Sequence, residues 1–391
     1  MESYESKSSD KKTFFKGIAV GMLMIVWLYA VVNAGAILYG RYISNELTVS
    51  QKMDMIHAIL ERHFVGELDQ ASIERGIFMG MLYGVGDRYT SYFSAEEFVR
   101  FYEQMTGSYV GIGVGIDPAE GGGIEILVPF RDSPAYEAGI LQGDIIVEVD
   151  GRDIRTMNHN DAVALVRGEE GTMVNLTIIR GTETLEKDVR RATVEMPSVE
   201  YEKLENNIGY IQLLGFEQTT FQQFEEAFES LQEQGMESLI IDVRNNPGGL
   251  LDTAVRITNM LVPEGLVTFT EDARGNRREL RSDANQVEIP LVVLINGGSA
   301  SASEVLAGAV KDHGVGILVG EQSFGKGLVQ DIFPLPDGSA IRVTIATYYT
   351  PNGISIHGEG LTPSHIVSLD GDTDEDEQLQ KAIELLLTGR E

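Results

Sequence analysis

The order of apolar and polar residues divides this chain into four stretches of different periodicity. The first, residues 17–40, is apolar apart from Asn33 and carries no charge. A helix rises about 1.5 Å per residue, so this stretch is long enough to cross about 30 Å of hydrocarbon. Four lysines precede it and predict that the tail formed by residues 1–16 is cytoplasmic: Lys7, Lys11, Lys12 and Lys16. We therefore predict a single-pass anchor in the cell membrane, with the remaining chain extracytoplasmic.

A cleaved signal peptide is the alternative for this first stretch. The small residues Ala34, Gly35 and Ala36 would suit a cleavage site. The apolar stretch, however, exceeds the hydrophobic segment of about 7–15 residues that is usual in signal peptides. An uncleaved anchor is the interpretation that we adopt.

The second and third stretches differ in local periodicity. Helical spacing of apolar residues, as in Ile56 and Ile59, predicts a helical segment over 41–100 that packs or pairs with another copy. Residues 101–192 contain short β-rich runs and one helix, which begins after the N-cap Asn158. This pattern predicts a small, mostly β domain inserted in the chain.

The fourth stretch, residues 193–368, alternates strands and helices. The runs Ser238–Val243 and Leu291–Ile295 are continuously apolar, and each precedes a Gly-rich turn and a helical pattern, as in buried parallel sheets. Thr219 with Gln222 predicts a capping box at the start of another helix. The fold class is therefore α/β (α+β), in several domains. Residues 369–391 form an acidic C-terminal tail, and its run Asp370–Glu377 is predicted to be solvated and mobile.

Composition narrows the possible functions. Sixty acidic and thirty basic residues give a formal net charge of −30, which repels phosphate backbones and argues against a nucleic-acid partner. The chain has no cysteine, so disulfides, a thiolate nucleophile and Cys-ligated metals are excluded. The histidines lack metal-ligand spacing, and His57 with His63 is interpreted as ordinary helix surface. We expect neither a metal nor another cofactor.

Three polar segments follow apolar strands, at the edge where α/β folds bind ligands. Residues 242–249 end in Gly248 and Gly249, whose backbone N–H groups suit an oxyanion pocket, although a tight turn would look the same. Residues 296–304 lead into a helix and carry three serines separated by alanines: Ser299, Ser301 and Ser303. Capping one helix needs only one serine, so capping alone does not explain three. A helix N-terminus also favours developing negative charge.

The third segment, residues 320–330, places Lys326 between two glycines. A phosphate loop would need Ser or Thr after the lysine, and Gly327 stands there. A buried lysine loses solvation of its charged form and so becomes a neutral general base, and Gln330 lies where its amide would hold that amine. A histidine-based triad is the competitor: His313 is too far along the helix that Ser301 begins, whereas His357 and His365 remain open.

With these segments in order, the chain resembles the carboxy-terminal processing peptidases, the tail-specific serine proteases of bacteria and plastids. The resemblance extends from about residue 50 to about residue 368 and rests on three elements: Arg-Asn-Asn-Pro-Gly-Gly, Gly-Ser-Ala-Ser-Ala-Ser-Glu and Phe-Gly-Lys-Gly-x-Val-Gln. It implies a crotonase-like α/β peptidase core. It also implies that Ser301 is the nucleophile, Lys326 the base and Gln330 its orienting residue. The oxyanion pocket carries over to the N–H groups of Gly248 and Ala302.

The same resemblance implies that the inserted domain is a PDZ domain. Its Gly111-Ile112-Gly113-Val114 loop would receive a terminal carboxylate, and a substrate tail would lie along the following strand, against Val163 and Val166 of the helix. Arg167 stands where family members link the PDZ domain to the catalytic site, and capping of the helix end is its alternative role. The chain departs from the family at Ser364, where an aspartate is usual.

The sequence thus predicts a membrane-anchored serine endopeptidase that cleaves extracytoplasmic proteins with apolar, free C-termini, as a homodimer or higher homo-oligomer. A catalytically idle cell-surface PDZ scaffold is the alternative, and the retained Ser301 and Lys326 argue against it. An active site that stays misassembled until a tail enters the PDZ groove also remains open.

Overall fold

The computed structural model describes residues 6–43, 47–368 and 375–389, and it divides into two units at Gly76. The helices that lie in or begin in the first unit are α1 (Ser6–Ile43), α2 (Val49–His63) and α3 (Gln70–Tyr83). Within α1, the segment Phe14–Ile37 is long and apolar enough to cross a membrane, and none of its most apolar window is buried. Residues 1–5 of the predicted cytoplasmic tail lie outside the described residues.

A short strand interrupts the stretch that the sequence predicts to be helical up to residue 100. The elements here are β1 (Ser91–Phe93) and α4 (Ala95–Thr106). β1 pairs antiparallel with a strand from the far end of the chain, where Ser91 lies opposite Arg342. A new capping box, formed by Ser94 and Glu97, then starts α4. The strand depends on a distant partner, which helical periodicity does not report.

The inserted domain is mostly β, as predicted. Its elements are β2 (Ser108–Gly111), β3 (Val114–Pro118), β4 (Ile124–Pro129), α5 (Pro134–Glu137), β5 (Ile145–Val149), β6 (Arg152–Asp153), α6 (His159–Val166), β7 (Met173–Arg180), β8 (Glu183–Arg190) and β9 (Ala192–Glu195). Strands β3, β4, β5, β7 and β8 form one antiparallel sheet around a buried core that includes Ile126 and Leu176. Asn158 caps α6 by accepting the N–H of Asn160 at 2.9 Å, which confirms that prediction.

The last part is an α/β core. Its elements are β10 (Val199–Lys203), the 3₁₀ turn Glu205–Asn207, β11 (Ile208–Leu213), α7 (Thr220–Glu233), β12 (Ser238–Asp242), α8 (Leu251–Leu261), β13 (Gly265–Asp272), β14 (Arg277–Ser282), β15 (Leu291–Ile295), α9 (Ala302–His313), β16 (Gly316–Gly320), β17 (Leu328–Pro334), β18 (Ala340–Tyr349), β19 (His365–Ile366) and α10 (Glu377–Thr388). The central sheet has the order β10-β11-β12-β15-β16-β19. It is parallel except for β10. A second sheet joins β1, β18, β13 and β14, with β17 also paired to β18.

Both faces of the central sheet are covered, which explains the continuous apolar runs. Side chains such as Ile241 and Val293 pack under α7, α8 and α9, whereas their neighbours Ile240 and Val292 pack with α10. The acidic run over 370–377 is predicted to be solvated and mobile, but its described residue Asp376 caps α10 and pairs with Arg244 at 2.7 Å. Residues 369–374 and 390–391 lie outside the described residues.

The predicted capping box of α7 is also wrong. Thr219 has helical backbone angles and makes no side-chain cap, whereas a capping residue needs an extended backbone. The neighbouring hydroxyl of Thr220 instead accepts the N–H of Glu217 at 2.9 Å.

Candidate active site

Two strand-end loops meet at the carboxyl edge of the central sheet. Residues 244–249 follow β12 and residues 296–301 follow the neighbouring β15. The N–H of Asn245 donates to Asn296 Oδ1 at 2.9 Å, and Asn296 Nδ2 returns a bond of 2.9 Å to Asn245 Oδ1. The two polar segments predicted to share this edge are thus joined by hydrogen bonds.

The three candidate serines have different environments. Ser299 and Ser303 are both fully buried. The Ser299 hydroxyl donates to the carbonyl of Val243 at 2.7 Å, and the Ser303 hydroxyl donates to the carbonyl of Asn246 at 2.9 Å. Both therefore fasten one loop to the other. Ser301 alone of the three lines a cavity of about 510 Å³.

Ser301 also has an unusual backbone. It precedes α9 with φ 56° and ψ −113°, a region that costs a non-glycine residue on the order of 1–3 kcal/mol. Such strain is common where a side chain must be aimed at a site. The hydroxyl interacts with Tyr348, whose own hydroxyl donates to the Lys326 carbonyl. Burial raises the pKa of Tyr348 well above its ordinary value, so this phenol stays protonated.

Lys326 and Gln330 line the same cavity as Ser301. Burial lowers the pKa of Lys326, and the positive charge of Arg342 lowers it further, against the opposing charges of Glu304 and Asp87. The ammonium lies 5.2 Å from the ring centroid of Tyr89. The lysine is thus biased toward the neutral form that a general base requires.

The predicted hydrogen bond between Gln330 and Lys326 is not formed in this conformation. Gln330 Nε2 is buried and has no hydrogen-bond partner. The pairing of β17 with β18 is irregular between Val329 and Gln330, and such bulges re-aim side chains next to active sites. The structure brings the serine, lysine and glutamine to one cavity without joining the last two.

Glu304 is a buried residue that sequence reasoning missed. Its Oε2 accepts the backbone N–H groups of Ser301 and Lys326, both at 2.9 Å. Its Oε1 accepts the N–H of Gly325 at 2.7 Å and the hydroxyl of Ser323 at 2.6 Å. One carboxylate therefore ties the serine loop to the lysine loop. In the sequence, only the position of Glu304, three residues after Ser301 in the Ser-Glu element, pointed to this role.

The two predicted oxyanion donors differ. Ala302 is the first residue of α9, and the first N–H groups of a helix lack intrahelical partners. The Gly248 N–H donates to Asn246 Oδ1 at 2.8 Å, so it is engaged within its own loop. A Cβ on Gly248 would lie 2.8 Å from Ser301 Cβ, and its φ is 100°, so only glycine fits against the serine. Gly249, rather than Gly248, lines the cavity.

The histidines do not support a histidine-based triad. Among the described residues that line the cavity there is no histidine. His313 Nε2 lies 2.8 Å from the Leu266 carbonyl oxygen, and His365 lies in β19, paired with Val319.

A second cavity, of about 190 Å³, lies in the β-rich domain. Five residues of the predicted peptide groove line it: Gly111, Ile112, Val114, Val163 and Val166. Arg167, predicted to link the PDZ domain to the catalytic site, lines it as well. Gly113 does not line it and has φ 81°. Tyr109 also lines it, and the Tyr109 hydroxyl accepts the N–H of Val114 at 3.3 Å. The Tyr109 phenol thus already accepts a hydrogen bond from a backbone N–H that is predicted to donate to the terminal carboxylate of a substrate.

The side chain of Arg167 does not cap α6. The Arg191 guanidinium donates to the carbonyls of Leu165 and Val166 at 3.0 and 2.9 Å. Arg167 pairs with Glu103 of α4 at 2.5 Å and lies over the Tyr109 ring at 4.9 Å. Two other residues of α4, Phe101 and Met105, line the cavity that contains Ser301. α4 therefore lines one cavity and, through Glu103, contacts Arg167 of the other.

Two family models and several known proteins match this chain. The sequence model of peptidase family S41 matches residues 207–367, and the PDZ domain model matches residues 127–180. A carboxy-terminal-processing protease of Bartonella bacilliformis is 38% identical over 309 residues, which are 76% of this chain and 70% of that protein. The carboxy-terminal processing protease CtpA of Bacillus subtilis is 34% identical over 317 residues, with 80% and 67% covered. A solved structure of photosystem II D1 C-terminal processing protease is 31% identical, covers 85% of this chain and 90% of its own, and has a TM-score of 0.48.

Fold and matches together define a serine-type peptidase that carries a PDZ domain. The chain belongs to the C-terminal processing peptidases of family S41. This confirms the resemblance drawn from the three sequence elements.

Proposed function

We propose that this protein is a membrane-anchored serine endopeptidase in which Ser301 is the nucleophile, Lys326 the general base and Gln330 the residue that orients the base. The main support is that these three side chains line one cavity, whereas Ser299 and Ser303 are engaged with backbone carbonyls. The lowered pKa of Lys326 supports its role as base.

The reaction follows from these positions. Ser301 Oγ bonds to the substrate carbonyl carbon while its proton passes to the neutral Lys326 amine. The negative charge on the carbonyl oxygen is stabilised by the Ala302 N–H and by the 248–249 backbone. The C–N bond then breaks, and the lysine returns the proton to the leaving amine. In the second half of the reaction, water attacks the acyl carbon while Lys326 takes its proton, and that proton passes to Ser301 Oγ as the ester bond breaks.

The observed conformation supports a resting state that is not fully assembled. Gln330 Nε2 has no partner, and the Gly248 N–H is bound to Asn246. Catalysis then requires Gln330 to approach Lys326 and a backbone donor of the 248–249 turn to become free. We propose that substrate binding supplies this change.

We propose that the PDZ domain selects substrates by an apolar, free C-terminus. The terminal carboxylate replaces the Tyr109 hydroxyl on the 111–114 loop, and the aliphatic side chains of Val163 and Val166 contact the last residues. Displacement of Tyr109 disturbs the ring under Arg167, and the pair of Arg167 with Glu103 carries this change to α4.

The organisation of the chain completes the proposal. The apolar helix serves as an uncleaved anchor over 17–40, with residues 1–16 in the cytoplasm. The 101–192 and 193–368 segments then act outside the membrane. Exposed apolar residues of α2, Ile56 and Ile59 among them, support pairing of two copies through the 41–100 segment.

Mass spectrometry of peptides released from a denatured protein with an apolar tail tests this function. The full chain should cleave it, and Ser301→Ala should lose activity by several orders of magnitude. Ser364→Ala is the matched control, because Ser364 is exposed and lies outside the cavity. Tail binding without any cleavage by the unaltered protein would instead support the idle PDZ scaffold.

A further inference from the structure

Arg342 lines the cavity that contains Ser301 and Lys326 and, apart from lowering the pKa of Lys326, has no role in the proposed reaction. Arg342 lies on β18 and lines the cavity together with Ser301 and Lys326. Arg342 and Thr344 project from the same face of β18, and Thr344 is the residue paired with Gln330. The guanidinium thus lies on the face of β18 that is turned to the cavity with Gln330.

Aromatic residues hold this guanidinium in place. Arg342 Nε donates to the Tyr89 carbonyl at 3.2 Å. Its Cζ lies 5.3 and 5.9 Å from the ring centroids of Phe93 and Phe101, which stack on each other. A guanidinium has five N–H donors, and in the described part of the chain only the Nε donor is used.

No carboxylate among the described residues forms an ion pair with Arg342. Asp87 acts on it by charge, but Asp87 Oδ2 accepts the hydroxyls of Thr90 and Thr344, both at 2.6 Å. Asp331, another cavity residue, accepts the Ile332 N–H at 2.9 Å. Within residues 6–43, 47–368 and 375–389, Arg342 therefore forms no direct ion pair, although the chain has a net charge of −30.

A half-buried guanidinium with free N–H donors is well suited to bind an anion. Burial lowers the pKa of Arg342, and the charge of Asp87 only partly opposes this shift. A planar guanidinium that is held against aromatic rings can donate two parallel hydrogen bonds to the two oxygens of one carboxylate. The unused donors and the missing counter-ion both indicate an anionic ligand in this cavity.

We propose that Arg342 forms a carboxylate-binding subsite of the catalytic cavity. This inference rests on the proposed peptidase function and adds a substrate preference to it. The carboxylate belongs either to a glutamate or aspartate side chain near the cleaved bond, or to the free C-terminus of a short peptide that ends beside that bond. Apolar terminal residues bound at the PDZ groove are compatible with either source.

The first experiment compares substrates on the unaltered protein. Peptides carry glutamate or glutamine at one position, moved through three residues on each side of the cleaved bond. A second set of short peptides ends in a free or an amidated carboxyl. We expect kcat/KM to be about tenfold higher for glutamate at one position, or for the free form in the second set. Equal values for every pair would overturn the proposal.

The second experiment assigns the preference to Arg342. Arg342→Gln should bring the ratio of kcat/KM between the glutamate and glutamine peptides to about one, while both are cleaved more slowly because the pKa of Lys326 rises without the Arg342 charge. Arg342→Glu should prefer lysine at the same position. Arg281→Gln is the matched control, since Arg281 is exposed and outside the cavity. A preference that survives in Arg342→Gln, or a variant that slows all peptides equally, would overturn the proposal.

The two hypotheses fail differently. Failure of the unaltered protein to cleave the glutamine peptide in a Ser301-dependent manner contradicts the proposed function. Cleavage without charge preference contradicts only the subsite. If Arg342→Gln does not fold, the comparison of substrates on the unaltered protein still decides the matter.

Discussion

Replacing Glu304 by glutamine should separate the two chain segments that carry Ser301 and Lys326. The Glu304 carboxylate is 1% exposed and accepts four hydrogen bonds, two on each oxygen. A glutamine amide group has only one acceptor oxygen, so its nitrogen would face two donors that it cannot satisfy. A hydrogen bond to a charged group contributes about 1.5–3 kcal/mol, and two are lost.

We therefore expect Glu304→Gln to lower the free energy of unfolding by about 3 kcal/mol or more. Because Oε2 holds the backbones of Ser301 and Lys326, kcat should fall on the order of 10²-fold, the usual effect of a misplacement of about 1 Å. KM should change less, since the PDZ groove is untouched.

Three measurements test this reasoning: urea unfolding, kcat and KM on a tailed substrate, and the rate at which a fluorophosphonate labels Ser301. Glu226→Gln is the control, because Glu226 is exposed on α7. A Glu304→Gln protein with an unchanged unfolding midpoint and unchanged kcat would show that the carboxylate does not couple the two loops.

Four further predictions follow from the contacts. Since burial lowers the pKa of Lys326 and the neutral amine is the active form, kcat/KM should rise as pH increases through that lowered pKa; a flat profile between about pH 5 and 9 would contradict this. Tyr109→Phe frees the Val114 N–H and should tighten binding of a tail peptide several-fold by calorimetry, whereas weaker binding would show that the hydroxyl contacts the tail. Arg167→Ala breaks the ion pair to α4 and should lower kcat even on short peptides while tail affinity is kept; an effect on thermal stability alone would remove its linking role. Asp376→Asn weakens the buried Arg244 cluster at 2.7 Å and should reduce stability by about 1–2 kcal/mol in urea unfolding; no change would mean that α10 is held by its apolar face alone.

Local chemistry explains why much of the site was predictable. A continuously apolar strand that ends in glycines or serines identifies a buried parallel strand and its loop, because backbone burial and helix capping are short-range requirements. The runs at Ser238 and Leu291 and the cap at Asn158 were found in this way. The three peptidase elements then predicted which serine lines the cavity.

Long-range contacts decided the remaining features. Periodicity reports whether a position is buried, but not which donor meets which acceptor across the fold. The acidic run is predicted to be solvated, yet its Asp376 pairs with Arg244. The reason is that the buried Arg244 guanidinium, which also pairs with Asp242, needs anionic partners.

The sequence by itself determined the peptidase family, the α/β core with its inserted PDZ domain, and the loops that carry the candidate chemistry. Only the tertiary structure decided that Glu304 joins the serine and lysine loops, that the Tyr109 phenol occupies the 111–114 loop, and that the Gly248 N–H is bound to Asn246. Each of these depends on the placement of one polar atom within about 3 Å of another. Such a placement is fixed by the packing of several elements together, and no local sequence pattern encodes it.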